Sequence, residues 1–266
     1  MISREMLCPF IEDLPTPPPG KTGWPWTEAS PLMPPVMEDG RAWPRISIIT
    51  PSLNQASYLE ETIRSVLLQG YPDLEYVIID GGSTDATSEI IEKYQQWLSF
   101  YISEPDNGQV CAINKGLLRV SGEVFNWINS DDFLLPHSLQ VIAEAYRQSP
   151  ESVLAGDVKY RYEDSDKEEV FRQENLDIRG IVEFWNNSTS FHQPGVFIPL
   201  PLMQQVGMLD VGLHYAFDYE LLCRLLSVTD VAYVKEPVAT YRIHSASKSV
   251  SRSHFFMAET YAASKR

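Results

Sequence analysis

Apolar and polar positions along this chain fall into blocks with two distinct periods. Four short apolar runs, at 45–50 (RISIIT), 74–79 (LEYVII), 100–103 (FYIS) and 123–128 (EVFNWI), have the length and side-chain types of strands. Each ends in a small, polar, often acidic turn. The turns are Thr50-Pro51-Ser52, Asp80-Gly81-Gly82-Ser83-Thr84-Asp85, Glu104-Pro105-Asp106-Asn107-Gly108 and Asn129-Ser130-Asp131-Asp132. Between the runs the apolar spacing lengthens to that of helices. Leu59, Ile63, Val66 and Leu67 form one stripe, and Ser57-Tyr58-Leu59-Glu60 has the spacing of a capping box at its start. Ile90, Ile91, Tyr94 and Leu98 form a second stripe, on a helix expected to begin within 83–85. A third helix is expected over 109–119, with Val110, Ile113 and Leu117 inward. A fourth is expected from Pro136, with Leu139, Ile142, Ala143 and Tyr146 inward. This β-α alternation implies a parallel sheet flanked by helices. It puts all four turns at the carboxyl ends of strands, where open α/β sheets bind their ligands.

The second half is less regular. Segments 152–162 and 168–172 read as a hairpin around the charged 163–167 turn, and 191–198 as a strand interrupted by Pro194-Gly195. Residues 201–206 and 218–226 read as helices, 231–234 and 238–241 as final strands, and 250–266 as a terminal helix. Residues 1–44 stand apart, with 10 of the 19 prolines and three of the six tryptophans. That composition allows either a disordered arm or an extended one draped over the domain, and Trp24-Pro25-Trp26 favours the second.

Charge narrows the partners. The 266 residues carry a net charge of −15, from 36 acidic and 21 basic side chains, with no Lys/Arg cluster. Phosphate backbones are repelled by such a surface, so no nucleic acid partner is expected. An anionic ligand would need a divalent cation to bridge it to carboxylates. Cys8, Cys111 and Cys223 are far apart and show no CxxC spacing, which reads as reduced thiols in a cytoplasmic protein. No apolar run approaches the ~18 residues of a membrane span, and the start lacks the basic-then-apolar order of a secretory signal.

Candidate chemistry sits in the turns. Asp131 and Asp132 are adjacent, and neighbours in extended backbone point to opposite sides. One carboxylate can then meet a sugar and the other a metal, or the pair is a solvated turn before Pro136. Asp80-Gly81-Gly82 either brings backbone and a carboxylate to a ligand or is a tight strand-to-helix turn. Asp218 opens a helix, where the dipole alone accounts for a carboxylate and where a general base is also well positioned. No GxGxxG follows the first strand and no GxxxxGK[ST] occurs, against a dinucleotide-binding dehydrogenase and a P-loop enzyme.

Four ordered segments resemble family 2 glycosyltransferases of the GT-A fold. They are PRISIITPSLNQASYLEETIRSVLLQGYPDLEYVIIDGGSTDATSEII, SEPDNGQVCAINKGLLRVSGEVFNWINSDD, FDYELLCRL and YRIHSASKS, spanning about 44–250. The resemblance implies an α/β fold: a GT-A-type, Rossmann-like, mostly parallel sheet flanked by helices, with a smaller mixed acceptor-side region. Residues 45–135 would be the nucleotide-sugar-binding half, 136–250 the acceptor half, and 251–266 a helical tail. Thr50, Pro51 and Ser52 would line the nucleoside pocket, with Gly81, Gly108, Asn114 and Lys115 also on the donor side. Asp80 would bond the base beside Asp106, and Asp131 would face the ribose and diphosphate. Asp132, with His244, would hold Mn2+ or Mg2+, and Asp218 would be the catalytic base. Trp185, His192 and Gln193 are candidates for acceptor contact. Asn129 stands where the family often has a first Asp, and Ile113 where many relatives carry an Arg.

The activity so implied is metal-dependent, inverting transfer of a sugar from a UDP- or GDP-sugar to a saccharide or lipid-linked saccharide acceptor. It fits polysaccharide biosynthesis in the cytoplasm, with at most peripheral association at the inner face of the cell membrane, and it allows a homodimer. Two alternatives stand beside it. A sugar nucleotidyltransferase would need a basic, Gly-rich loop after the first strand, and 50–58 has no basic residue. A non-catalytic nucleotide-sugar-binding module would not need Asp218.

Overall fold

The structure is a computed structural model that describes residues 8–165, 167–183, 191–245, 247–248 and 253–265. The β-α alternation is realised as β1 (Ile46–Ser52), α1 (Leu59–Leu67), β2 (Leu74–Asp80), α2 (Thr87–Tyr94), β3 (Phe100–Ser103), α3 (Gln109–Leu117) and β4 (Val124–Trp127). Then come β5 (Phe133–Leu134), α4 (Ser138–Gln148), β6 (Val153–Tyr162), β7 (Glu168–Phe171), α5 (Ile178–Val182), β8 (Val196–Pro199), α6 (Leu200–Val206), α7 (Phe217–Leu226), β9 (Val231–Ile243) and α8 (Ser253–Ala263).

The described strands form one nine-stranded sheet in the order β3-β2-β1-β4-β8-β6-β9-β5, with β7 on β6. The first four are mutually parallel. Strand β8 runs antiparallel to both β4 and β6, and so joins the parallel half to a mixed half. Strand alternation sorts the side chains. Ile46 and Ile48 of β1 join the stripes of α1, α2 and α4 in one core. Ile49 faces the other way, into a core with α3, α6 and α7. Gly116 is required there: a Cβ would come 2.6 Å from Ile49 Cγ2, so α3 can lie this close to β1 only with glycine.

Four sequence expectations change. The capping box at Ser57 is not made: α1 starts after Tyr58 with no side-chain cap. Instead the N–H groups of Asn54, Gln55 and Ala56 donate to Ser83 Oγ, Thr87 Oγ1 and Asp85 Oδ2. The turn after β2 therefore caps the loop after β1, and α2 starts later than expected, at Thr87. The segments 231–234 and 238–241 are one strand, β9, because a bulge at Gly156/Asp157 lets the ladder pass over Lys235 and Glu236. The interrupted strand at 191–198 is a 3-10 turn (Gln193–Gly195) followed by β8.

Residues 8–44 drape over the domain. Their carbonyls at Pro15, Pro25 and Trp26 accept from Nη1, Nε and Nη2 of Arg64, a fully buried guanidinium on α1, at 2.9, 3.0 and 2.9 Å, and Tyr94 OH accepts a further N–H at 3.1 Å. Trp24 Nε1 donates to Leu134 O at 2.8 Å. No described helix is long and apolar enough to cross a membrane.

Candidate active site

A cavity of about 460 Å³ opens at the carboxyl ends of the parallel strands and extends to the mixed half. Pro51 and Ser52 line it from the end of β1, Asp106 and Gly108 from the turn after β3, and Asn129, Ser130 and Asp131 from the turn after β4. Asp218 lines it from α7, as do His192 and Gln193 from the segment before β8. Segments far apart in sequence therefore converge on one rim. Trp185 lies outside the described residues.

The turn after β4 is held from below. Thr62 Oγ1 on α1 contacts the carbonyls of Ser130 and Asp132 at 3.0 and 2.6 Å. The two aspartates then diverge. Asp131 faces the cavity and its Oδ2 meets His244 Nε2 at 3.1 Å. Asp132 is buried, 1% exposed, and turned away from the cavity lining. Its Oδ1 accepts from the Arg242 backbone N–H at 3.0 Å and its Oδ2 from Asn129 Nδ2 at 3.2 Å. Burial, and then the neighbouring Asp131 charge, push its pKa well above the usual carboxylate range. Asp132, the carboxylate expected to hold the metal, is thus engaged by β9, and Asp131 is the member of the pair that lines the cavity. Arg242 also donates from Nε to Asp131 O at 2.8 Å and pairs with buried Glu61 at 2.9 Å.

Asn129 follows from the same geometry. Its Nδ2 donates to Asp132, while its Oδ1 accepts from Gln109 Nε2 at 2.7 Å. An Asp at this position would set a second carboxylate against a buried one. Gln109 Oε1 in turn accepts from Lys248 Nζ at 2.9 Å. Desolvation lowers the Lys248 pKa, opposed by the charges of Asp131 and Asp106.

Five expected donor-side residues, Thr50, Asp80, Gly81, Asn114 and Lys115, are not on the cavity. Thr50 is buried against Tyr76 OH at 3.0 Å. Asp80 is fully buried, its Oδ2 accepting from Ser83 N–H at 3.0 Å and Ser103 Oγ at 2.6 Å, so it organises the turn beneath the rim. Asn114 exchanges hydrogen bonds with the backbone of Leu209 at 2.9 and 3.1 Å. Lys115 pairs with Glu104 at 2.8 Å. Positions 114 and 115 fall on parts of α3 that face a neighbouring loop and solvent, which sequence spacing did not resolve. Gly81 packs beneath Asp106, where a Cβ would come 3.1 Å from Oδ1.

Asp218 is half-buried on the cavity wall. Desolvation pushes its pKa from 3.8 up to about 6; the Tyr219 backbone N–H, 2.8 Å from Oδ1, pulls the other way and the charge of Glu259 adds to the rise. Burial pushes His192 down to about 4, so this ring is neutral beside Tyr160 OH at 2.6 Å. Two buried oxygens of lining residues, Ser52 Oγ and Gln193 Oε1, have no hydrogen-bond partner among the described residues. Gln109, Tyr160, Phe191 and Lys248 line the cavity without having been expected there. Gln109 had a signal, as the first helical residue after the third turn. Lys248 lies in the segment YRIHSASKS, while Tyr160 and Phe191 had no signal in local pattern.

The sequence of residues 47–200 matches the family described as Glycosyl transferase family 2. The chain belongs to that family. An uncharacterized glycosyltransferase of Rickettsia typhi is 28% identical over 211 residues, covering 76% of this chain and 65% of the relative. A putative teichuronic acid biosynthesis glycosyltransferase of Bacillus subtilis is 38% identical over 92 residues, 34% of this chain and 36% of the relative. The chain thus spans less than two thirds of the length of these curated relatives. Among solved structures, S. aureus TarS 1-349 in complex with UDP-GlcNAc superposes with a TM-score of 0.62 at 19% identity, covering 76% of this chain and 60% of that one. The mannosyltransferase PcManGT from Pyrobaculum calidifontis, in complex with GDP-Man and Mn2+, gives 0.58 at 18% identity, covering 85% and 62%. At those identities the likeness establishes the fold, which is that of glycosyltransferases, as the resemblance implied. Among the described residues no group of three or more His, Cys, Asp or Glu side chains is arranged to hold a metal ion.

Proposed function

We propose that this chain is a metal-dependent inverting glycosyltransferase, moving a sugar from a nucleotide-diphosphate sugar to a hydroxyl acceptor in the synthesis of a surface polysaccharide or glycoconjugate. One observation carries the reading: Asp131 and Asp218, from distant elements, line the same cavity, and Asp218 is held near the pKa a general base needs at neutral pH. The unpartnered oxygens of Ser52 and Gln193 support a polar ligand, because an unsatisfied buried polar group costs about 1–3 kcal/mol.

The donor side comprises Pro51, Ser52, Asp106, Gly108 and Asp131, within residues 45–135 read as the nucleotide-sugar half. The donors in the TarS and PcManGT complexes support a UDP- or GDP-sugar. Asp131 and His244 supply one carboxylate oxygen and one imidazole nitrogen 3.1 Å apart. That donor set fits Mn2+ better than Mg2+, which favours oxygen alone. The cation, when bound, neutralises charge on the leaving diphosphate. Lys248, close enough to feel both Asp106 and Asp131, adds a positive charge on the same rim. Asp218 removes the proton from the acceptor hydroxyl as that oxygen attacks the anomeric carbon, and no covalent enzyme intermediate is formed. His192 and Gln193 are the acceptor-side contacts, in residues 136–250. The location we propose is cytoplasmic, with at most peripheral membrane association, consistent with three free cysteines.

The test is product release. The chain is incubated with a panel of UDP- and GDP-sugars, with Mn2+, with Mg2+ or with EDTA, and free UDP or GDP is measured. Metal-dependent release from one donor class is expected. Absence of turnover with every donor, crude acceptor included, would transfer the assignment to a nucleotide-sugar-binding module.

A further inference from the structure

We propose that Glu259, on α8, is a positioning residue for the base Asp218: its carboxylate holds the backbone that leads into α7. This rests on the assignment of Asp218 as base. Helix α7 has no side-chain cap of its own, since its N-cap residue is Ala216. In place of a cap, one oxygen from a distant helix takes three consecutive backbone N–H groups. Glu259 Oε2 accepts from His214, Tyr215 and Ala216 at 3.1, 2.7 and 3.0 Å. Hydrogen bonds from backbone N–H groups to an ionised carboxylate are among the stronger ones, and a negative charge is favoured at a helix N-terminus. Asp218 is the second residue of that helix, so its position depends on this anchor.

Two further contacts tie α8 to the same place. The Tyr215 ring stacks on Phe255, with centroids 5.6 Å apart and planes at 12°. Ala263, at the far end of α8, is buried in the core that contains α7. The Glu259 charge also acts on Asp218, in the direction that favours a proton on the base. Helices α7 and α8 both lie outside residues 47–200 matched by the family. The proposed base and the carboxylate that holds its helix are thus both carried by the chain after residue 200.

The test uses the full chain with Mn2+ and the UDP- or GDP-sugar it turns over, water serving as acceptor, and follows release of UDP or GDP. Glu259→Ala is expected to lower kcat about 10- to 100-fold, since a displacement of about 1 Å is enough for such a loss. Donor KM stays within about twofold, because the interaction acts on the reacting geometry and not on donor binding. Glu259→Gln, which keeps an acceptor oxygen in place, recovers most of the loss. In an Asp218→Asn background Glu259→Ala adds no further loss, because groups acting as one unit are non-additive. A kcat within about threefold of the parent, a matching rise in donor KM, or a full additional loss on top of Asp218→Asn overturns the proposal. Should Glu259→Ala give no folded protein, Glu259→Asp carries the test: one methylene shorter, it is expected to lower kcat with donor KM unchanged, and parental kcat overturns the proposal. An active Asp218→Asn removes the base assignment, and Glu259's role with it. An inert Glu259→Ala beside an inactive Asp218→Asn removes only the positioning role. A parent chain that releases neither nucleotide refutes the enzymatic reading itself.

Discussion

Replacing Asp218 with Asn should stabilise the protein at neutral pH while removing its proposed activity. The Asp218 pKa rises from 3.8 to about 6 on folding, mainly through desolvation. Between those values the folded chain keeps a proton that the unfolded chain has lost. Stability therefore falls as pH rises through that window, and above about pH 6 the whole penalty is present. At 1.36 kcal/mol per pKa unit the penalty is at most about 3 kcal/mol. The side chain is half-buried and partly screened by water, which brings the expected figure to about 1–2 kcal/mol. Asparagine has the same shape, stays neutral, and keeps an oxygen for the Tyr219 N–H, 2.8 Å away. Thermal unfolding followed by circular dichroism should place Tm of Asp218→Asn about 2–4 °C above the parent at pH 7.5. The gain should vanish near pH 4, where the parent carboxyl is protonated when folded. In the parent, kcat should rise with pH through about 6 as the base ionises. An Asp218→Asn protein no more stable than the parent at pH 7.5 would refute the desolvated-carboxylate argument. Residues shaped for catalysis are commonly held at such a cost to stability.

Asp131→Asn should abolish Mn2+-dependent UDP or GDP affinity in calorimetric titration while Asp132→Asn retains it; the reverse result returns the metal to Asp132. Arg64→Met leaves the carbonyls of Pro15, Pro25 and Trp26 unpaired, and should lower stability by about 3–5 kcal/mol. Limited proteolysis should then cut within residues 8–44, and an arm as resistant as in the parent would sink the idea that Arg64 anchors it. Gly116→Val forces a branched side chain against Ile49, where even a Cβ comes within 2.6 Å. A loss of about 1–3 kcal/mol in urea unfolding is expected, and an unchanged midpoint would show that α3 can move away from β1 at little cost.

Sequence alone determined the β-α alternation of the first half, the parallel half of the sheet and the set of turns that meet at its carboxyl edge. It could do so because hydrophobic period is a property of neighbouring residues, readable without knowing the fold. Tertiary structure alone decided which polar groups on those turns face the cavity. Asp131 and Asp132 are equivalent in local pattern, and the Arg242 backbone N–H of β9 draws one of them inward. Asp80 is drawn into the turn beneath the rim by Ser83 and Ser103, which donate to its carboxylate. Asn114 and Lys115 sit on the right helix but are turned to Leu209 and Glu104. Glu259 leaves no trace in the pattern around Asp218, because the backbone groups it holds are some 40 residues earlier in the chain. Each of these choices is made by a partner distant along the polypeptide, and a short window of sequence carries no information about which distant segment will arrive.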